Sequence, residues 1–191
     1  MVPTSLTVEQ RMDVSSNEDD DTNLVDSAVN GDASAFTQLF HRYYGMIYAF
    51  TYRLSLCETD AQDITQETFI KAARSINCFR HDSSFKNWLY RIATHTGEDW
   101  RRGKLRRSRL AGELTSKTLE VERTSECQPV AEALGMLAHE LRQAVVLVYY
   151  EEMSHAEAAK VAGCAETTIS WRIFRAKRKL KDLLSRAGKE P

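Results

Sequence analysis

What this 191-residue sequence lacks narrows its class first. It has no run of about 18 apolar residues, the length a membrane-crossing helix needs, and residues 1–21 lack the basic-then-apolar layout of a signal peptide, so a cytoplasmic chain with no membrane insertion is expected. Only 3 prolines and 8 glycines argue against a loop-rich or collagen-like chain. The four cysteines, Cys57, Cys78, Cys127 and Cys164, stand far apart with no CxxC pair, which points away from a zinc finger and from a disulfide framework. His41, His81, His95, His139 and His155 have no His or Cys partner at the short helical spacing that metal sites favour. No metal, cofactor or small-molecule substrate is therefore expected, and the chain is read as non-catalytic. Strand patterns are absent too, apart from residues 145–150, which continue an upstream helical rhythm and are read as helix.

A strong net charge is also missing, since the formal value is -1, but the charges are segregated along the chain. Glu9, Asp13, Glu18, Asp19, Asp20 and Asp21 make the start acidic. Arg101, Arg102, Lys104, Arg106, Arg107 and Arg109 form one basic cluster, and Arg172, Arg175, Lys177, Arg178, Lys179 and Lys181 a second, with no acid inside either until Asp182. Solvated helix faces usually intersperse the two signs, so this segregation reads as a footprint for a polyanion.

What is present is helical periodicity in two blocks. Residues 1–22 are polar and acidic and read as a disordered tail. Over 23–107, Leu24, Ala28, Ala35, Phe36, Leu39, Phe40, Tyr43, Ile47 and Phe50 recur at three- and four-residue spacing, with Gly31-Asp32 breaking the first two helices. A third helix, expected to be capped by Asp60, carries Ile64, Phe69, Ala72 and Ala73. A fourth carries Phe85, Trp88, Leu89, Ile92, Ala93 and Trp100 on an apolar stripe. Residues 108–129 lose this rhythm and are expected to be a flexible linker. It returns over 130–187 with Leu134, Leu137, Leu141, Ala144, Val145 and Val148. The expectation is an all-α protein of two small helical domains joined by a linker.

The second block holds the sharper motif. Ser154 and Glu157 have capping-box spacing, Gly163 supplies a turn, and a long basic helix follows. That order is a helix-turn-helix, whose second helix enters the DNA major groove. Ile169, Ile173, Ala176, Leu180 and Leu183 are expected to face inward. Glu166, Thr167, Ser170, Trp171, Arg172, Arg175 and Lys177 are expected to face outward as base readers and phosphate binders. In the first block, Lys86, Asn87, Tyr90, Arg91, Thr94, His95, Arg101 and Arg102 lie opposite the apolar stripe of the fourth helix. Cations interleaved with an aromatic and amides suit unstacked, single-stranded bases. Asp63, Gln66 and Glu67 share a face of the third helix that would repel DNA and suits a basic partner protein.

Asp63-Ile64-Thr65-Gln66-Glu67-Thr68-Phe69 resembles the core-polymerase-binding motif of bacterial sigma factors, and Trp88-Leu89-Tyr90-Arg91-Ile92-Ala93 resembles their promoter-melting helix. Residues 154–177, ending Arg172-Ile173-Phe174-Arg175-Ala176-Lys177, resemble region 4 of the same sigma-70 family. With regions 2 and 4 alone, the chain is similar to the extracytoplasmic-function group over about residues 24–184. The resemblance implies that Asp63, Gln66, Glu67 and Phe69 dock on the coiled coil of the polymerase largest subunit, with region 4 on the flap of the second-largest subunit. It implies that the loop 77–84, with Asn77 and Phe79, pockets a flipped base of the minus-10 strand, and that Lys86, Asn87, Tyr90, Arg91, His95, Arg101 and Arg102 contact that strand. It places Glu166, Thr167, Thr168, Ser170, Trp171, Arg172, Phe174, Arg175 and Lys177 on the minus-35 element, and it implies control by an anti-sigma factor, often membrane-tethered.

The chain departs from the family pattern at Thr94-His95, where Asn is usual, at Leu137-Ala138 in place of Leu-Pro, at Thr167-Thr168-Ile169 in place of Gly-Thr-Val, and at Ser170-Trp171 in place of Arg-Ser. Two rival readings carry separate expectations. A stand-alone helix-turn-helix regulator would bind symmetric half-sites as a dimer and leave the Asp63 face without a role. A helical metalloenzyme would hold stoichiometric metal on its histidines.

Overall fold

The computed structural model describes residues 18–110 and 128–187. Eight helices account for nearly all of them. In the first half they are α1 (Glu18–Val29), α2 (Ala33–Ser55), α3 (Glu58–Ser75) and α4 (Phe85–Leu110). In the second they are α5 (Gln128–Gly135), α6 (His139–Val145), α7 (His155–Ala162) and α8 (Glu166–Ala187). A 3-10 turn, Ile76–Cys78, follows α3, and a π-helical turn, Val146–Tyr150, extends α6. Residues 145–150 are thus helix, as the upstream spacing required. Most of the expected linker, residues 111–127, lies outside the described residues, and its two ends, 108–110 and 128–129, belong to α4 and α5.

The centre of the first half is α2. Ala35, Leu39, Tyr43, Ile47, Phe50 and Leu54 recur every three or four positions and are all buried, so one apolar stripe receives α1, α3 and α4. Each fully buried side chain of this size contributes about 1.5–3 kcal/mol. Asp32 starts α2 by accepting from Ser34 N at 2.8 Å and Ala35 N at 3.3 Å. Gly31 makes the preceding turn at φ 96°, where a Cβ would be strained. The α2–α3 contact is polar at its heart: Thr51 Oγ1 and Thr65 Oγ1 lie 2.8 Å apart, and Thr65 also donates to the Ala61 carbonyl at 2.7 Å. Two buried hydroxyls therefore satisfy each other and the backbone.

Two expectations need correction here. Asp60 does not cap α3, whose N-cap is Cys57 without a side-chain bond. Asp60 lies a turn further in, where its carboxylate accepts from Lys104 Nζ at 2.7 Å and ties the start of α3 to the end of α4. Nor is the acidic tail unstructured through residue 22, because α1 begins at Glu18. Asp21 is ordered by hydrogen bonds from Arg42 and from the Tyr43 hydroxyl, which a composition-based reading has no means to see.

In the second half, Leu134, Leu137, Ala144, Val145, Leu147, Ala158, Val161, Ile169, Ile173 and Ala176 form the interior. The two halves pack directly on each other, with α7 against α4, and with α6 and the π-helical turn against α2. Arg142 is buried at this junction. It donates to Leu134 O at 2.9 Å, Gly135 O and Leu137 O at 3.3 Å, and across to Leu54 O at 2.8 Å. His139 lies nearby, and burial together with the Arg101 charge lowers its pKa below 6.5. The folded protein thus holds His139 neutral while the unfolded chain protonates it, so its contribution is complete above about pH 6.5 and is lost as pH falls through the lower folded value. Urea unfolding at pH 7.5 and pH 5.5 is expected to show a smaller acid-side loss of stability in His139→Gln than in wild type.

Candidate nucleic-acid interface

The helix-turn-helix forms as its sequence specifies. Ser154 Oγ accepts from Glu157 N at 3.2 Å while the Glu157 carboxylate accepts from Ser154 N at 2.9 Å, which completes the capping box of α7. The Ser154 hydroxyl, which donates to the Glu157 carboxylate at 2.7 Å, and then Ser154 N hold that carboxyl below the usual carboxylate range. Gly163 ends α7 in the left-handed region at φ 62°, and α8 begins three residues later. His155 Nδ1 and Ser170 Oγ, 2.9 Å apart, join the two helices.

Ile169, Ile173 and Ala176 are buried and Leu180 is half-buried, whereas Glu166, Thr167, Ser170, Trp171, Phe174, Arg175 and Lys177 are exposed. Trp171 and Phe174 keep 56% and 63% of their surface open, an unusual exposure for such large apolar side chains. Arg175 stacks over Trp171 at 5.3 Å and Lys177 over Tyr149 at 5.4 Å, so cations and aromatics alternate on this outer face. Two residues of the expected reading set are less open. Thr168 is half-buried, and Arg172 turns partly inward, donating to Gln143 Oε1 at 3.4 Å.

The loop before α4 forms a cleft of about 410 Å³, lined by Asp21, Val25, Tyr43, Phe79, His81, Ser83, Ser84, Phe85 and Lys86. Its size lies in the range of small-molecule pockets. Phe79 and Phe85 give it an aromatic wall, their ring centroids 5.9 Å apart, and Trp88 packs on both rings at 5.4 and 5.5 Å. His81 adopts φ 58° and pairs with Asp26 at 3.0 Å, which ties the loop to α1. Asn77 is exposed at the rim. Asp21 was not among the expected site residues, since an acidic tail alone gives no sign that one carboxylate folds back over this loop.

On α4 the expected strand-binding set divides. Arg91, His95 and Arg102 are exposed. Asn87, Tyr90 and Arg101 instead follow one stripe with Thr94 and Glu98, at spacings of three and four, and this stripe faces the second half. The Asn87 amide bonds the Glu157 carboxylate, Tyr90 donates to Glu151, Gln143 donates to Glu98 at 3.4 Å, and Arg101 lies 4.0 Å from Glu140. Tyr90 is therefore corrected from an exposed base-stacking residue to a buried one, with its ring 4.9 Å from Phe50. Burial and the adjacent Glu151 charge raise its pKa and keep it a neutral donor. Burial likewise raises the Glu151 carboxyl.

A second correction concerns Phe69. Asp63 and Gln66 are exposed on α3 and Glu67 is half-buried, but Phe69 is buried, 4.9 Å from the Phe40 ring, and fastens α3 to α2.

These features define the class: an all-helical DNA-binding protein built on a helix-turn-helix. The family profile for sigma-70 region 2 matches residues 39–107, and that for sigma-70 region 4 matches residues 127–180. The RNA polymerase sigma-H factor of Pseudomonas aeruginosa is 32% identical over 176 residues, spanning 84% of this chain and 91% of that protein. The RNA polymerase sigma factor NccH of Alcaligenes xylosoxydans xylosoxydans is 33% identical over 175 residues, spanning 86% and 94%. Among solved structures, the sigma factor RpoE in complex with the anti-sigma factor NepR from Bartonella quintana superposes with a TM-score of 0.69 at 27% identity, covering 78% of this chain and 96% of that one. CnrH in complex with the cytosolic domain of CnrY superposes with a TM-score of 0.65 at 31% identity, covering 86% and 97%. The chain belongs to the sigma-70 family of RNA polymerase sigma factors, in its extracytoplasmic-function group, and directs RNA polymerase to promoters.

The capping box carries a local expectation. Ser154→Ala removes the acceptor for Glu157 N and is expected to cost about 1 kcal/mol of stability, read as a lowered urea midpoint with unchanged helical content.

Proposed function

We propose that this chain is a dissociable specificity subunit that joins core RNA polymerase through two surfaces and contacts promoter DNA through two others. Asp63, Gln66 and Glu67 on α3 dock against a basic stretch of the largest-subunit coiled coil, and the second half engages the flap of the second-largest subunit. The outer face of α8 lies in the major groove of the minus-35 element, with Arg175 and Lys177 on phosphates and Glu166, Thr167 and Ser170 toward base edges. The cleft at residues 77–86 receives a base flipped from the minus-10 strand between aromatic walls. Lys86, Arg91 and His95 hold the strand beside it. The chain makes no covalent change to DNA and works in the cytoplasm, where the polymerase is found.

The observation that carries this reading is the separation of opposite charge onto different helices. Asp63 and Gln66 lie open on α3, and the cation- and aromatic-rich face lies open on α8. A relative of the same fold was solved with an anti-sigma factor, and an anti-sigma factor is proposed as the regulator of this chain as well. The direct packing of α7 on α4 leaves such a partner to clasp the outside of the closed pair rather than to wedge between its halves.

In a run-off assay with purified bacterial core polymerase and host genomic fragments, the wild-type chain is expected to yield promoter-specific transcripts. The Asp63→Arg, Glu67→Arg variant is expected to lose them while keeping its helical content. Specific transcripts from the variant at wild-type level would remove the third helix from the polymerase interface. Tight duplex binding by the protein alone, with no transcripts from any fragment, would favour a stand-alone regulator.

A further inference from the structure

Water is a poor neighbour for an indole, yet Trp171 keeps 56% of its surface open on the outer face of α8, and Phe174 keeps 63%. Large apolar side chains left open together on one helix face mark a surface that is covered when the protein works. Their surroundings choose the occupant. From Thr167 to Lys181, α8 carries no acidic residue, and Arg175, Lys177, Arg178, Lys179 and Lys181 are all exposed. An apolar platform ringed by cations fits a polyanion that also presents apolar groups. The DNA major groove is such a surface: phosphates line its edges, and its floor carries the C5-methyl of every thymine.

We propose that Trp171 is a specificity-determining residue for duplex DNA: its indole packs on a thymine methyl in the major groove and selects an A·T pair at that position of the minus-35 element. The inference rests on reading α8 as the helix that lies in that groove.

The geometry holds the indole for this role. Recognition helices present their base-reading side chains from the N-terminal turns, and Trp171 falls within the first two turns of a helix that begins at Glu166. At this level α8 is fixed against α7, because Ser170 Oγ lies 2.9 Å from His155 Nδ1 and donates to Glu166 O at 3.2 Å. Arg175, about one turn further on, stacks over the indole at 5.3 Å. That stack covers one face of the ring and restrains it, so less side-chain freedom is lost when DNA arrives. Arg175 thereby positions Trp171 while its charge stays available to a phosphate. Phe174 stands nearly a turn further from the N-terminus and serves as the comparison in the test.

The test uses the chain bound to core polymerase and a synthetic duplex of a promoter that it transcribes. Thymine is replaced by uracil at one A·T pair of the minus-35 element at a time, which keeps the pairing edge and O4 and removes only the methyl. Wild type is expected to lose about fourfold in affinity at one such pair, the amount that burial of a single methyl contributes, read by competition in fluorescence anisotropy. Trp171→Ala is expected to bind the thymine duplex more weakly and to be indifferent to uracil at that pair, with an unchanged urea midpoint. Wild-type binding indifferent to uracil at every A·T pair would overturn the proposal. Sensitivity that survives Trp171→Ala and vanishes in Phe174→Ala would overturn the assignment to Trp171. Loss of polymerase binding in Trp171→Ala, with uracil sensitivity retained, would overturn it in favour of a protein-binding indole. Lys177→Glu tests the underlying reading separately, because promoter affinity undiminished by that change removes α8 from the groove, whatever uracil does.

Discussion

The arrangement of this molecule depends on one buried guanidinium. A charged group taken out of water is tolerated only when its donors are met, and Arg142 meets them with four backbone carbonyls. Three lie at or just beyond the end of α5 and the fourth, Leu54 O, at the end of α2. Helix C-termini leave carbonyls without intrahelical partners and carry the negative end of the helix dipole. One cation therefore answers the ends of two helices in different halves. The three bonds near α5 brace the second half internally, and the bond to Leu54 O joins it to the first.

Around that joint, α4 faces two ways. Its apolar stripe, with Phe85, Leu89 and Ala93, is committed to the interior of the first half. Its polar stripe, with Tyr90, Glu98 and Arg101, meets the second half. The carboxylates of Glu151 and Glu157 accept hydrogen bonds from that stripe, Glu151 from the Tyr90 hydroxyl and Glu157 from the Asn87 amide. The outer face of α8 remains open in this arrangement, with Trp171 and Phe174 exposed.

Much of this was legible in the residue order. The α2 stripe, the Gly31-Asp32 break, the capping box at Ser154 and Glu157, the turn at Gly163 and the inward set Ile169, Ile173 and Ala176 are local patterns set by helical period and backbone chemistry. The misreadings have traceable causes. Tyr90 sits on a helix face with polar neighbours, so period alone left its burial undecided, whereas Phe69 follows the apolar period of α3 and was assigned to the docking surface by the resemblance alone. Asp60 and Asp21 carry the right side chains for a cap and for a tail, but their partners are 44 and 21 residues away. Arg142 and Glu151 flank an apolar run, and that placement was the one available sign that charged groups were needed inside.

The sequence by itself determined the class of the protein: helical content, two blocks, a helix-turn-helix and segregated charge all follow from neighbours within a few turns, because capping and amphipathic burial are short-range. Tertiary structure alone decided which face of α4 is covered, which carboxylate lines the cleft before it and how the halves meet. Those outcomes depend on hydrogen bonds across tens of residues, such as Leu54 with Arg142 and Tyr90 with Glu151, whose partners become neighbours only when the chain has folded.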